Sequence, residues 1–159
     1  MSAVRRPYLV VGYDGSAQAR AAVMLAVRRA GRRGVVHIVH AYPTTPQLSE
    51  MISDARAVDH RREAEALLDG LLLSSDALVS SRFETELSEG SAADALVRIA
   101  DEHDADEIVV GTRGVGRIHG LLGSVAHELL AKSRCPVLVI PPGAVVSTED
   151  RPLGSAHAE

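Results

Sequence analysis

Apolar residues fall in five short runs along this chain, and between the runs they recur at the three- to four-residue interval of a helix. Residues 8–12 are a compact apolar run, read as a first strand buried on both faces. A turn follows at 13–16. Ser16 can cap a helix over 17–30, which carries Ala21, Leu25 and Arg28/Arg29 at helical spacing and is ended by Gly31 and Gly34. Residues 35–41 predict a second strand. Residues 42 to about 56 contain Pro43 and Pro46, show no clear period and predict a loop. From about 58 to 73 a helix is expected, with Ala64, Leu67, Leu68, Leu71 and Leu72 on one side and Arg61, Arg62, Glu65 and Asp69 on the other.

Residues 80–87 alternate polar positions with Phe83, Thr85 and Leu87, which predicts a third strand near a sheet edge. A turn and N-cap at 89–91 lead into a helix over 92–103 with Leu96, Ile99 and Ala100 as its core stripe. A fourth strand begins at Ile108-Val109-Val110. The helix after Gly123-Ser124 is expected to turn Val125, Leu129 and Leu130 inward and to end at the cations of Lys132-Ser133-Arg134. Residues 136–140 are the fifth strand, stopped by Pro141-Pro142-Gly143. Residues 1–6 are a short basic lead-in and 144–159 a frayed tail, so 1–143 is read as a single domain.

Strands and helices alternate throughout. That order predicts an α/β fold: a doubly wound, five-stranded parallel sheet with helices on both faces and right-handed crossovers. Such sheets bind ligands at the carboxyl ends of strands where the strand order reverses. Two strand ends carry loop chemistry, Gly12 to Ser16 after the first strand and Gly111 to Gly114 after the fourth. If those strands are neighbours, an acidic side chain and a glycine-rich loop flank one crevice.

The second loop carries glycines at 111, 114, 116, 120 and 123 and ends at a helix start. Glycines let backbone come close to a ligand, and the unpaired N–H groups of a helix start favour anions. The loop is neither a Walker A motif nor the Rossmann fingerprint: no Gly-Lys-Ser/Thr follows, and Gly120 comes one residue late after the wrong strand. Arg113 and Arg117 either neutralise phosphate charge or are solvated surface arginines. Ser124 can cap its helix and offer a hydroxyl. Asp14 either accepts hydrogen bonds from a ribose or an adenine amino group, or satisfies its own turn.

Composition narrows the alternatives. Aromatic residues are 3% of the chain and the net charge is −4, so neither stacking rings nor a basic field is available for nucleic acid or an acidic membrane. One cysteine, Cys135, excludes an internal disulfide, and without a signal-like or membrane-length apolar run a cytoplasmic location is expected. No metal site is expected. His37 and His40, three apart in a strand, face opposite ways, and Asp101-Glu102-His103-Asp104 reads as a polar helix end. No catalytic residue stands out: Ser124, His127 and Glu128 lie together on one helix as surface pairs.

Val10 to Ser16 with Ala19 and Ala22, Val36 to Ala41, and Glu89-Gly90 running into a helix resemble the universal stress protein (UspA-type) family. The more specific match is Gly111-x-x-Gly114 … Gly123-Ser124-Val125 followed by Ser133-x-Cys135-Pro136-Val137-Leu138-Val139. The resemblance implies a Rossmann-like sheet of the adenine nucleotide alpha hydrolase type and, in the family's ATP-binding branch, the motif Gly-x2-Gly-x9-Gly-Ser/Thr. By that resemblance Asp14 and the backbone at Gly12 and Ala41 meet adenine or ribose. Val110 and Gly111 lie along the ribose and α-phosphate, and Gly114, Gly123, Ser124 and Val125 hold the phosphates.

This chain departs from the motif: eight residues, 115–122, separate Gly114 from Gly123. The missing residue either shortens the loop harmlessly or pulls Gly123 out of register. ATP, with or without Mg²⁺, is therefore the expected ligand, with ADP or AMP as alternatives. The expected role is a nucleotide-dependent switch in a stress response and not an enzyme, beyond slow ATP hydrolysis. A nucleotide-free interaction protein comes next, and an adenylyl or phosphoryl transferase last. The family and the apolar last strand, 136–140, together imply a homodimer.

Overall fold

The computed structural model describes residues 5–44, 50–79, 81–112, 122–144 and 146, with backbone alone for 50–58, 77 and 79. The elements are β1 (Tyr8–Gly12), α1 (Ala17–Ala30), β2 (Val35–Tyr42), α2 (Glu50–Leu73), α3 (Asp76–Val79), β3 (Arg82–Glu89), α4 (Ala92–Glu102), β4 (Glu107–Gly111), α5 (Ser124–Lys132) and β5 (Val137–Ile140). The sheet runs β3-β2-β1-β4-β5, and each neighbouring pair is parallel. The chain winds outward from β1 through β2 to β3, then returns to the far side of β1 for β4 and β5. The order therefore reverses between β1 and β4, the pair paired at Val10↔Ile108.

Although β1 is apolar throughout, its side chains alternate between two cores, because successive residues of a strand face opposite ways. Leu9 and Val11 join Val36, Ile38 and Val109 beneath α1, α2 and α3, with Ala22, Val23, Ala26, Leu68, Leu71 and Leu78. Val10 joins Val39, Ile108 and Val110 beneath α4 and α5, with Leu96, Ile99, Ala126 and Leu129. This is the expected fold class, with helices on both faces. α1 and α4 begin at serine caps: Ser16 Oγ accepts from the Ala19 N–H at 3.1 Å and Ser91 Oγ from the Asp94 N–H at 3.2 Å.

Several expectations need correction. The second helix begins at Glu50, inside the stretch read as a loop. After Pro46 nothing in 50–57 breaks a helix, and an amphipathic stripe is not needed where helix formers suffice. The short α3 was not expected, and its Leu78 is buried against the first core. The third strand lies at Arg82–Glu89, two residues later than read. In α5 the inward residues are Ala126 and Leu129, while Leu130 is 60% exposed. α1 buries Ala22, Val23 and Ala26, with Ala21 and Leu25 at the margin. Of the tail at 144–159, only Ala144 and Val146 are among the described residues.

Candidate functional site

At the carboxyl ends of β1, β2 and β4, where the strand order reverses, the sheet opens into a crevice of about 160 Å³. Its walls include Gly12 at the end of β1 with Tyr13 and Asp14 after it, Val39 to Ala41 in β2, and Val110 and Gly111 at the end of β4 with Thr112 after it. The first turns of α4 and α5 complete it with Ala92, Leu96 and Gly123 to Ala126. Of the residues singled out in the sequence, Gly12, Asp14, Ala41, Val110, Gly111, Gly123, Ser124 and Val125 are thus brought together. Gly114, Arg113 and Arg117 lie outside the described residues.

Local chemistry shapes each wall. The Ser16 N–H donates to Asp14 Oδ1 at 3.0 Å, which folds the turn after β1 and uses one of two carboxylate oxygens. The Tyr13 N–H donates to the Val39 carbonyl at 2.8 Å, and His40 Nδ1 donates to the Tyr13 carbonyl at 2.7 Å, tying the ends of β1 and β2 together. A Cβ on Gly12 would stand 3.0 Å from Val110 Cγ1 and 3.2 Å from Leu96 Cδ1, so glycine permits the close approach of three elements here. Gly15 holds φ +82°, a left-handed conformation that favours glycine.

The wall near α5 is polar in an incomplete way. The N-cap of α5 is Gly123, not Ser124, so no side chain caps the opening N–H groups of this helix. The Gly123 N–H itself donates to the Thr112 carbonyl at 2.6 Å. Thr112 Oγ1 is buried and has no hydrogen-bond partner among the described residues; the same holds for Tyr13 Oη, but its ring packs in the core on the α1 side of the sheet. Burial pushes the Tyr13 phenol's pKa up, so it stays protonated. A buried hydroxyl without a partner costs about 1–3 kcal/mol, and a polar ligand in the crevice would remove that cost at Thr112. Sequence reasoning missed Thr112, Tyr13 and His40. Thr112 stood inside the Gly111-x-x-Gly114 motif as an unspecified position, which was the signal available.

The model of the universal stress protein family matches residues 8–141. This chain belongs to that family. A universal stress protein of Thermus aquaticus is 34% identical over an alignment of 142 residues that covers 83% of this chain and 96% of the relative. Among solved structures, the universal stress protein UspA of Lactobacillus plantarum superposes with a TM-score of 0.75 over 87% of this chain and 99% of its own; at 22% identity it speaks to the fold alone. A universal stress protein solved in complex with cAMP is 32% identical, with a TM-score of 0.63, and the match covers 84% of this chain and 96% of that one. Among the described residues, no helix is long and apolar enough to cross a membrane.

Proposed function

We propose that this universal stress protein domain is a cytoplasmic regulatory module that binds an adenine nucleotide in the crevice between β1 and β4. The observation that carries the reading is the pairing across that crevice. An uncapped helix start and the Thr112 hydroxyl, which has no partner among the described residues, line one side, and the Asp14 carboxylate lines the other. The first suits a phosphate and the second a ribose or an adenine amino group. The relative solved with cAMP supports the same ligand class.

In this reading Asp14 and the backbone at Gly12 and Ala41 meet adenine or ribose, and Val110 and Gly111 lie along the ribose and first phosphate. Ser124 and Val125 supply N–H groups and one hydroxyl to the phosphates. Gly123 contributes less than its place in the motif implies, because its N–H is already donated to Thr112. By the family motif, Gly114 would also hold the phosphates. Asp14 is the one carboxylate among the described lining residues, so Mg²⁺ would enter with ATP on its phosphate oxygens.

ATP is the first reading. A single-phosphate nucleotide is the second, favoured by the cAMP-bound relative and by the loop one residue short of the family motif. Binding without turnover is supported by the occupation of the lining groups: Asp14 Oδ1 serves its own turn and His40 Nδ1 serves the Tyr13 carbonyl. Regulation would follow from differential affinity for two states of the domain or of a dimer. For that dimer, β5 is the suitable edge, apolar and half-buried at Val137, Leu138 and Val139. The opposite edge, β3, carries Arg82, Glu84, Glu86 and Glu89, charges that discourage pairing.

Protein purified without added ligand is extracted and its nucleotides identified by mass, and ATP, ADP, AMP and cAMP are then titrated by calorimetry. Binding of at least one of them, weakened tenfold or more by Asp14→Ala and by Ser124→Ala, supports the module. No binding of any of the four overturns it.

A further inference from the structure

At the other end of the sheet from the crevice, three elements bring a second set of polar side chains together. The register places Val10 of β1 beside His37 of β2, and His37 beside Glu84 of β3. Alternation along β1 then puts Tyr8 on the same sheet face as Val10, the face covered by α4. α4 runs against the strands, so its C-cap, His103, arrives at the same place. The Tyr8 ring lies parallel to the His103 ring, with centroids 4.6 Å apart and planes 7° apart. One ligand atom each from His37, Glu84 and His103 fall within 4.8 Å of one another.

These groups hold few protons for their number of acceptors. His37 is 5% exposed, and a neutral imidazole has one N–H to share between two sides. Its Nε2 lies 3.5 Å from Glu86 Oε2, and Glu86 is held in turn by Arg98. With the proton on Nε2, Nδ1 turns a lone pair toward Glu84 Oε2 at 3.6 Å. Tyr8 Oη sits between them, 2.8 Å from His37 Nδ1 and 3.1 Å from Glu84 Oε2, with one proton to give. Two imidazole nitrogens and a carboxylate thus converge on one spot beside a single hydroxyl.

We propose that His37, Glu84 and His103 form a binding site for a divalent first-row transition ion of the zinc type. Tetrahedral ligands at bond lengths of about 2.0–2.1 Å stand roughly 3.4 Å apart, close to the His37–Glu84 separation. His103, exposed at the helix end and stacked on Tyr8, would move by up to about 1.4 Å to complete the set. The neighbours suit the outer shell that such sites use: a ligating histidine gives its second N–H to a carboxylate, and Glu86, 3.5 Å from Nε2 and itself fixed by Arg98, is placed for that role. Imidazole with carboxylate selects borderline ions over calcium, which takes oxygen alone, and over copper(I), which takes sulfur. Tyr8 Oη, which bonds to His37 Nδ1 and Glu84 Oε2 in the ion-free chain, would give up that place to the ion and face its fourth position, which water would fill. The bound ion would join the end of α4 to β2 and the edge strand β3.

The test uses the full chain stripped with a chelator. Cobalt(II) is followed by its visible absorption, and zinc(II) by competition with a chromophoric chelator. One equivalent should bind, with the intense bands of four-coordinate cobalt. Glu84→Gln and His103→Ala, both at exposed positions, should each weaken zinc binding tenfold or more, and Glu86→Gln roughly ten- to a hundredfold through the outer shell. His127→Ala, on the exposed face of α5, should leave it unchanged. Circular dichroism checks that each variant is folded. Failure of the stripped chain to take up one equivalent, or uptake that survives both Glu84→Gln and His103→Ala, overturns the proposal.

Discussion

The Gly123 N–H meets the Thr112 carbonyl oxygen at 2.6 Å, so the chain leaves the end of β4 and returns to the start of α5 at one hydrogen bond. The length between these two points is therefore decoupled from the packing of the sheet. Lengthening a loop by one residue alters its closure entropy by a small fraction of a kcal/mol. Inserting a glycine after Gly116 restores nine residues between the motif glycines. It should shift the melting temperature little and raise the affinity for ATP relative to AMP. Calorimetry on both nucleotides, beside a thermal melt, measures the two effects separately.

Gly12 sits where β1, β4 and α4 converge, and a side chain there meets Val110 and Leu96 at once. Gly12→Val should cost about 1–3 kcal/mol by overpacking. Both neighbours line the crevice, so the same substitution should also weaken nucleotide binding. Urea denaturation gives the first quantity and calorimetry the second. Full stability with unchanged binding would mean that Leu96 can move aside freely.

Ile99 is fully buried on α4, in the core that joins this helix to β1 and β4. Ile99→Ala should destabilise the fold by about 2–5 kcal/mol, as large-to-small core changes do. Leu130→Ala, on the same side of the sheet but 60% exposed, should change stability by no more than about 0.5 kcal/mol. Chemical denaturation measures both, and the Leu130→Ala result tests the corrected inward face of α5 directly.

Lys132 of α5 donates to Asp94 of α4 at 2.8 Å and to Glu128 at 3.1 Å. Its ammonium holds the Asp94 carboxyl below the usual carboxylate range. A depressed carboxyl stabilises the folded state fully above its unfolded pKa, near 4, and the contribution is lost as pH falls through the lower folded value. Asp94→Asn should therefore lower the melting temperature slightly at neutral pH and not at all in strong acid. The groups are solvent-exposed, so roughly 1 M salt should also erase the difference.

The architecture was legible in the sequence because its signals were local. Strands such as Tyr8 to Gly12 and Val137 to Ile140 are continuous apolar runs, and Ser16 and Ser91 mark helix starts with the residue type that caps them. The start of α2 was not legible: a segment such as 50–57 shows neither a breaker nor a stripe. The crevice was read through its glycines and Asp14, but not through Thr112, whose hydroxyl is buried without a partner among the described residues, a property that depends on tertiary packing. The cap of α5 was assigned one residue late, since Gly123-Ser124 offers two candidates and the backbone chose the one without a side chain. His37, Glu84 and His103 come from two strands and a helix end, so no spacing along the chain could announce them.

The placement of the tyrosines has an optical consequence. The chain has three tyrosines, one phenylalanine and no tryptophan. Tyr13 lines the crevice, and Tyr8 bonds to His37 and Glu84 at the far end of the sheet. Each candidate site therefore carries its own native fluorophore, with no indole emission to mask it. Events at the two ends of the sheet can be told apart in the unlabelled protein by replacing one ring at a time with phenylalanine.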